Sequence, residues 1–115
     1  MSCSKDDDNS DSTSQIGTWK LTAEKLNGVN EDLDACDLKN TVIFDATTIK
    51  FIEYFGENCE EFDEMTGAYT RNGNTITIVA EDETQSVEIT KLTNTTLEVT
   101  DDDDGDVYVS IFTRQ

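Results

Sequence analysis

Apolar and polar side chains alternate along most of this chain, in short segments separated by turn residues. Residues 17–27 begin the series, with Trp19, Leu21 and Ala23 on one face and mainly polar side chains on the other. Because successive side chains of a β-strand point to opposite faces, this alternation predicts a half-buried strand. The same reasoning predicts further strands at residues 41–45, 47–55, 65–71, 75–80, 86–92, 95–100 and 106–113.

The segments between these strands contain turn residues. Asn72-Gly73-Asn74 predicts a tight hairpin, because Asn-Gly readily adopts the positive φ that such turns need. Residues 29–40 and 56–64 are polar and predict loops, the first with one helical turn capped by Asp34. About eight short antiparallel strands joined in order predict an all-β fold, either an up-and-down barrel or a two-sheet sandwich.

One face of these strands supplies the predicted interior. The inward series is Trp19, Leu21, Phe51, Ile76, Ile78, Val87, Ile89, Leu97, Val99, Val109 and Ile111. In a barrel of this size the side chains either fill the interior or surround a small ligand. For the second alternative we predict a site formed by Phe51, Glu53, Tyr54 and Tyr69, with the tyrosines as polar groups and Glu53 in register with Phe51.

Composition excludes several classes of function. The 115 residues are enough for one domain, and 26 acidic against 8 basic residues give a net charge of −18. Such a charge repels nucleic acids and anionic lipid surfaces, so we expect no nucleic-acid partner. The chain has no histidine, the commonest general base and metal ligand. We therefore expect a monomeric protein that is not an enzyme and has no cofactor.

An acidic run near the end of the chain is a candidate for metal binding. Asp101, Asp102, Asp103, Asp104 and Asp106 surround Gly105, and clustered carboxylates suit Ca²⁺. The run does not fit the EF-hand pattern, because placing the glycine at the sixth position would make Thr100 the first ligand. We interpret the run as a solvated hairpin tip, with a weak calcium site as the alternative.

The first fifteen residues predict a flexible acidic leader, because they contain too few apolar side chains to fold. The segment Cys3-Ser-Lys-Asp-Asp-Asp8 resembles the mature start of a Gram-negative bacterial lipoprotein, with Met1 and Ser2 as an added start. The resemblance implies that Cys3 is acylated and anchors the protein to the outer membrane. The acidic run after the cysteine is similar to a signal for export to the cell surface. The alternative is a disordered terminus with an incidental cysteine.

The remaining chain, residues 16–115, resembles the small lipocalin-like domains of bacterial lipoproteins. The Gly17-Thr18-Trp19 segment matches the Gly-x-Trp motif that begins the first strand of lipocalins. The resemblance implies that Trp19 closes one end of the barrel and that Arg114, near the last strand, packs over its ring. It also implies a small apolar ligand. The alternative function is a filled barrel that acts as a non-catalytic surface interaction or structural module.

The three cysteines leave one unpaired after a single bridge. Cys36 and Cys59 lie in predicted loops on either side of a strand pair, and an exported chain meets oxidising conditions. We therefore predict a disulfide between Cys36 and Cys59. The alternative is two buried thiols in a cytosolic protein, and the scattered spacing disfavours zinc.

Overall fold

The computed structural model describes residues 14–115. The predicted leader lies outside the described residues except for its last two, Ser14 and Gln15, so the role assigned to Cys3 is not addressed by the structure. Gln15 packs inside the barrel with only 6% of its surface exposed. The folded domain therefore includes a residue that the sequence assigned to the tether.

The described residues form β-strands joined by short turns and one long connection. The strands are β1 Gly17–Leu26, β2 Val29–Asn30, β3 Thr41–Phe44, β4 Thr48–Phe55, β5 Glu61–Asn72, β6 Thr75–Ala80, β7 Glu83–Leu92, β8 Thr96–Asp103 and β9 Asp106–Arg114. A single 3₁₀ turn, Asp37–Lys39, follows β2, and no helix of the described chain is long and apolar enough to cross a membrane.

Antiparallel pairing joins consecutive strands from β3 to β9, and β1 pairs with β3 on one side and with β9 on the other. The eight longer strands therefore form a closed barrel, while the two-residue β2 pairs only with the end of β1. The predicted all-β barrel is confirmed, and the sandwich is excluded because the first and last strands hydrogen-bond to each other. Because the barrel is closed, each of these eight strands pairs with a neighbour on both sides along at least part of its length.

Several strands extend beyond their predicted bounds. The predicted acidic loop 56–64 is shorter than expected, because β5 begins at Glu61. Strand β7 begins at Glu83, and β8 continues through Asp103. Pairing with neighbouring strands overrides the low strand propensity of these acidic residues. The predicted hairpin tip is thus reduced to Asp104 and Gly105, which form the turn between β8 and β9.

Two β-bulges change which residues face the interior. In β1, Leu21 and Ala23 pair with consecutive residues of β9, so Thr22 is the extra residue, and its hydroxyl donates to the Ile111 carbonyl at 3.1 Å. In β7, Thr90 is the extra residue and its hydroxyl donates to Glu98 Oε2 at 2.7 Å. A bulge moves every following side chain of its strand to the opposite face.

The pairing of β9 with β8 corrects the predicted interior. Phe112 pairs with Leu97 and Ser110 pairs with Val99, so Phe112 and Ser110 share the inward face of β8. The predicted inward positions Val109 and Ile111 therefore lie on the outer face. The other nine predicted positions are inside: Leu21 is buried, Phe51, Val87 and Val99 pack against the core, and the core itself contains Trp19, Ile76, Ile78, Ile89 and Leu97. The core also contains four residues that the predicted series did not include, Val42, Phe44, Ile49 and Tyr69.

Most turns at the ends of the hairpins contain residues with positive φ. Asn27-Gly28 and Asp104-Gly105 both have positive φ at two successive residues, and in each pair the second is glycine. The predicted hairpin at Gly73 is also present, with φ of 63°. The turn between β6 and β7 differs, because Glu81 and Asp82 adopt φ of 52° and 66° without any glycine. A residue with a side chain strains the backbone in this region.

We expect Asp82→Gly to increase the free energy of unfolding by about 0.5 to 1 kcal/mol, because glycine adopts positive φ without steric strain. The matched control is Gly105→Ala in the corresponding turn, where φ is 90° and no atom lies within 4 Å of an added Cβ. That change should lower stability by a similar amount. Urea denaturation measures the free energy of unfolding of both variants. A lower stability of Asp82→Gly than of the parent would contradict the positive φ of Asp82 in this turn.

Candidate functional site

One end of the barrel is closed by a hydrogen-bonded cluster around Trp19. The fully buried indole donates from Nε1 to the carbonyl of Gln15 at 2.8 Å. The Gln15 side chain donates to the Tyr69 hydroxyl and accepts from Arg71, both at 2.8 Å. The Tyr69 hydroxyl in turn donates to the carbonyl of Asp45. These contacts satisfy the buried polar groups and block access to the core from this end.

Arg114 covers the same end from outside. Its guanidinium lies 4.3 Å from the centre of the Trp19 ring, a cation–π arrangement, and donates to the carbonyls of Ser14, Ile16 and Asn94 at 2.7 to 2.8 Å. Gly17 has φ of 139°, and an added Cβ would lie 2.7 Å from Arg114 Nη1. The geometry therefore places Gly17, Trp19 and Arg114 together at the closed end, as the resemblance to lipocalins implies.

The opposite end is open, and a disulfide lies beside it. Cys36 in the connection between β2 and β3 is bonded to Cys59 in the loop between β4 and β5. This is the predicted pair. The connection also packs along β4, where the Asn40 side chain accepts a 2.9 Å hydrogen bond from the backbone of Tyr54. Within the connection, Asp34 Oδ1 accepts from the amide of Asp37, which holds the predicted helical turn.

A wide cavity of about 1170 Å³ occupies this open end. We call it the cup, and it is surrounded by β4, β5, β6, β7 and β8. Its apolar floor is formed by Phe51, Met65 and Ile78, of which Ile78 also belongs to the buried core. The barrel is thus filled in its lower half and open in its upper half. The two sequence-based alternatives, a filled and a hollow barrel, each describe one half of the molecule.

The wall of the cup is strongly acidic. Among residues 14–115, no lysine or arginine lines it and seven carboxylates do: Glu53, Asp63, Glu64, Glu81, Glu83, Asp101 and Asp103. Glu53 and Asp63 are direct cross-strand partners on β4 and β5. Like charges at directly opposed positions destabilise a sheet, so this pair is unfavourable in the free protein. The cup therefore concentrates negative potential above an apolar floor.

The wall is also incomplete on one side. Strands β7 and β8 pair only from Glu88 to Leu92, so the residues of β7 that precede Glu88 do not pair with β8. Across this split, Gln85 Nε2 donates to Asp101 Oδ2 at 2.9 Å. Both residues line the cup. The cavity therefore reaches the gap between the two strands, where a side chain provides the bridging hydrogen bond.

The four residues of the predicted ligand site are not all in one place. Phe51 and Glu53 line the cup, and Glu53 is exposed there. Tyr69 belongs to the cluster at the closed end, at the opposite end of the barrel. Tyr54 lies on the outer face of β4, where its ring packs against Phe62 with centroids 5.9 Å apart. Because Tyr54 alternates with inward-facing Phe51 and Glu53, it cannot reach the cup.

The acidic run from Asp101 to Asp106 is divided by the strand. Asp101 and Asp103 point into the cup, whereas Asp102 lies between them in β8 and faces outward. Within residues 14–115, no three histidine, cysteine, aspartate or glutamate side chains come close enough to hold a metal ion. The strand geometry thus disperses the five aspartates that the sequence places side by side.

Glu24 is an interior carboxylate that sequence analysis did not identify. The bulge at Thr22 turns Glu24 inward, where it accepts a 3.4 Å hydrogen bond from Ser110 Oγ. Burial raises the pKa of Glu24, as do the charges of Asp37, Glu31 and Glu53, while the Ser110 hydrogen bond lowers it. The sequence gives no signal for this position, because Leu21 and Ala23 continue the alternation across Thr22.

We expect Glu24→Gln to stabilise the protein at neutral and alkaline pH. Because the pKa of Glu24 is higher in the folded than in the unfolded state, ionisation opposes folding above the folded-state pKa. This penalty disappears as pH falls below the ordinary carboxyl range. The melting temperature of Glu24→Gln should therefore exceed that of the parent at pH about 8 and match it at pH about 3.5. Exposed Glu88→Gln is the control, and an equal pH dependence in both variants would contradict the interior position.

Comparisons with known proteins agree with this fold. A family model described as a lipocalin-like domain matches residues 16–99. A search of curated proteins finds no match. Among solved structures, a lipocalin-like protein from Bacteroides uniformis ATCC 8492 is 16% identical with a TM-score of 0.68, over 87% of this chain and 97% of the other.

A second similar structure is an uncharacterized protein from Bacteroides eggerthii DSM 20697. It is 12% identical with a TM-score of 0.66, and the match covers 89% of this chain and all of the other. At such identities the structures show a shared fold only. The family model covers most of the barrel, from the residue before Gly17 into β8. The chain therefore belongs to the lipocalin-like domain family.

Proposed function

We propose that this domain is a non-catalytic binding module of the cell envelope, which holds a small molecule with an apolar part in the cup. The observation that carries the proposal is the cavity of about 1170 Å³ above a packed core. Ligand sites are concave, largely preformed and typically about 300 to 1,000 Å³ in volume. The hydrogen-bonded cluster restrains the closed end of the barrel, and the disulfide restrains the loops beside the open end. Both support a binding site that is already formed before a ligand binds.

A dye-binding experiment tests the site. Nile red, a neutral apolar dye, should bind to the protein with increased fluorescence. Ala80 lines the cup at the end of β6, so the side chain introduced by Ala80→Trp should occupy part of the cavity and weaken binding. The matched control is Val79→Trp, because Val79 is the adjacent residue on the outer face and is 49% exposed. Both variants should have melting temperatures close to that of the parent.

The outcome also separates the two candidate functions. Equal binding of the dye by the parent and Ala80→Trp would place the dye outside the cup and contradict the proposal. No binding to any variant would favour the alternative, a surface interaction or structural module built on a filled barrel. The observation that favours this alternative is the packed core in the lower half of the barrel, which includes Trp19 and Ile78.

Attachment to the outer membrane through Cys3 is part of the proposal. The described chain enters the barrel at the closed end, where Ser14 contacts Arg114. A lipid anchor preceding this point would attach to the closed end and leave the cup at the far end of the barrel. The carboxylates of the cup favour the same orientation, because they are repelled by anionic membrane surfaces.

Mass spectrometry of the protein isolated from the bacterium that produces it tests this attachment. We expect the N-terminal residue of the mature chain to be Cys3, carrying a thioether-linked diacylglycerol and an amide-linked fatty acid. Fractionation should place the protein with the outer membrane, and protease added to intact cells should cleave it. An unmodified cysteine, or a protein protected in intact cells, would contradict the corresponding part of the proposal.

A further inference from the structure

We infer that the ligand of the cup is an amphiphilic organic cation, a small amine or ammonium compound with an apolar body. This inference rests on the proposed binding function and adds the charge and chemical class of the ligand. It is carried by one cavity that combines an apolar floor with a wall of carboxylates and to which the described part of the chain contributes no basic side chain.

The negative charge of the wall favours a positively charged ligand. Carboxylates in a concave site reinforce one another, because the field is focused between low-dielectric walls. The opposed pair Glu53 and Asp63 repel each other in the empty protein. A cation bound between them relieves this repulsion, whereas an anion increases it. Since no lysine or arginine of the described residues lines the cup, none of their side chains compensates these charges.

The distribution of the carboxylates selects an organic cation rather than a metal ion. They come from β4, β5, β7, β8 and the turn between β6 and β7. In the part of the chain that the structure describes, no three acidic, histidine or cysteine side chains converge as metal ligands. Ca²⁺ needs six to eight oxygen ligands at close range. A charge carried on a larger organic body does not need such convergence.

The floor of the cup selects a ligand that also has an apolar part. Phe51 and Met65 are direct cross-strand partners, and Ile78 lies beside them on the lining. Met65 remains 37% exposed, so burial beneath a ligand would be favourable. The Phe51 ring can pack against an apolar body or lie beneath an ammonium group, and the flexible Met65 side chain can adjust to either.

The test uses three probes that share one apolar body: 4-phenylbutylamine, 4-phenylbutan-1-ol and 4-phenylbutyrate. The protein is the full chain labelled with ¹³C at the methionine methyl groups. It contains two methionines, Met1 and Met65, so the signal absent from Met65→Leu identifies the floor of the cup. The Trp19 indole signal reports on the closed end and should not move.

We expect the amine to shift the Met65 methyl signal in a saturable manner. The alcohol should bind at least tenfold more weakly, since a charge contact worth about 1.4 kcal/mol corresponds to that ratio. The carboxylate should not bind. Raising the salt concentration to about 0.5 M should weaken binding of the amine but not of the alcohol, because salt screens partly exposed charges.

A double variant tests the opposed carboxylates directly. Glu53→Gln combined with Asp63→Asn should weaken amine binding about tenfold and leave alcohol binding unchanged. The matched control combines Glu88→Gln with Asp32→Asn, which removes the same two charges from exposed positions outside the lining. Amine binding to this control should stay within about twofold of the parent, since distant charges are screened.

The outcomes distinguish failure of this inference from failure of the proposed function. Equal affinity for amine and alcohol, or equal effects of the two double variants, would overturn the cationic class while the cup remains a binding site. Tighter binding of Ca²⁺ or of a tetralysine peptide than of the amine would also overturn it, in favour of a metal ion or a basic protein segment. The proposed function itself fails if Ala80→Trp binds Nile red as well as the parent does, or if Nile red and all three probes leave the Met65 signal unchanged.

Discussion

Trp19→Ala should lower the free energy of unfolding by about 3 to 5 kcal/mol, the largest loss expected from a single change in this chain. The indole is completely buried in the core, and its removal leaves a large cavity at the closed end. The change also removes the donor that satisfies the Gln15 carbonyl and the ring beneath Arg114. Urea denaturation followed by circular dichroism measures the effect without relying on tryptophan fluorescence.

Trp19→Phe separates packing from hydrogen bonding. Phenylalanine keeps part of the ring but cannot donate to Gln15, so we expect a loss intermediate between the parent and Trp19→Ala. Because Gln15 also contacts Tyr69 and Arg71, Gln15→Ala should destabilise the same cluster. A loss below about 1 kcal/mol for Trp19→Ala would show that the closed end does not hold the barrel together.

Removing the disulfide should cost about 3 kcal/mol, the second large effect. The bond joins residues separated by 23 positions, and a cross-link of this length restricts the unfolded chain substantially. The double change Cys36→Ala and Cys59→Ala should therefore lower the denaturation midpoint. The loss should appear equally in the parent after reduction with dithiothreitol.

The reductant provides an internal control for this prediction. Dithiothreitol should destabilise the parent to the level of the double variant and leave the double variant unchanged. Since the bond lies beside the cup, its loss should also increase hydrogen exchange in residues 31–40 and 56–60 more than at the closed end. Destabilisation of the double variant by the reductant would contradict an effect through this bond.

Local signals in the sequence predicted the strands and a hairpin, whereas the barrel and its closed end were implied by the resemblance to lipocalins, and the disulfide was predicted from the places of the cysteines in loops. Apolar and polar side chains alternate around Trp19 and Leu21 because the two faces of a strand differ in burial. Asn72-Gly73 favours a turn conformation that few other residue pairs adopt. These signals do not depend on which strands become neighbours. They therefore remain valid once the chain folds.

The cup could not be predicted in the same way. The extra residue at Thr22 moves Glu24 inward, and the pairing of β9 with β8 places Val109 and Ile111 outward. The sequence gives no sign of the extra residue, because Leu21 and Ala23 on either side of it continue the alternation, and register depends on the partner strand. The acidic residues Asp63, Glu64 and Glu83 have low strand propensity, so their place on the wall follows from pairing alone.

The seam between β1 and β9 has a consequence for biosynthesis. It joins the first long strand of the described chain to the last, with Trp19 opposite Arg114, so barrel closure requires contacts between residues almost a full chain length apart. Such nonlocal pairing forms late and slowly. A nascent chain whose β9 is still within the ribosome exposes the unpaired edges of β1 and β8. The domain therefore folds only after synthesis of β9, and until then these edges remain accessible to a chaperone.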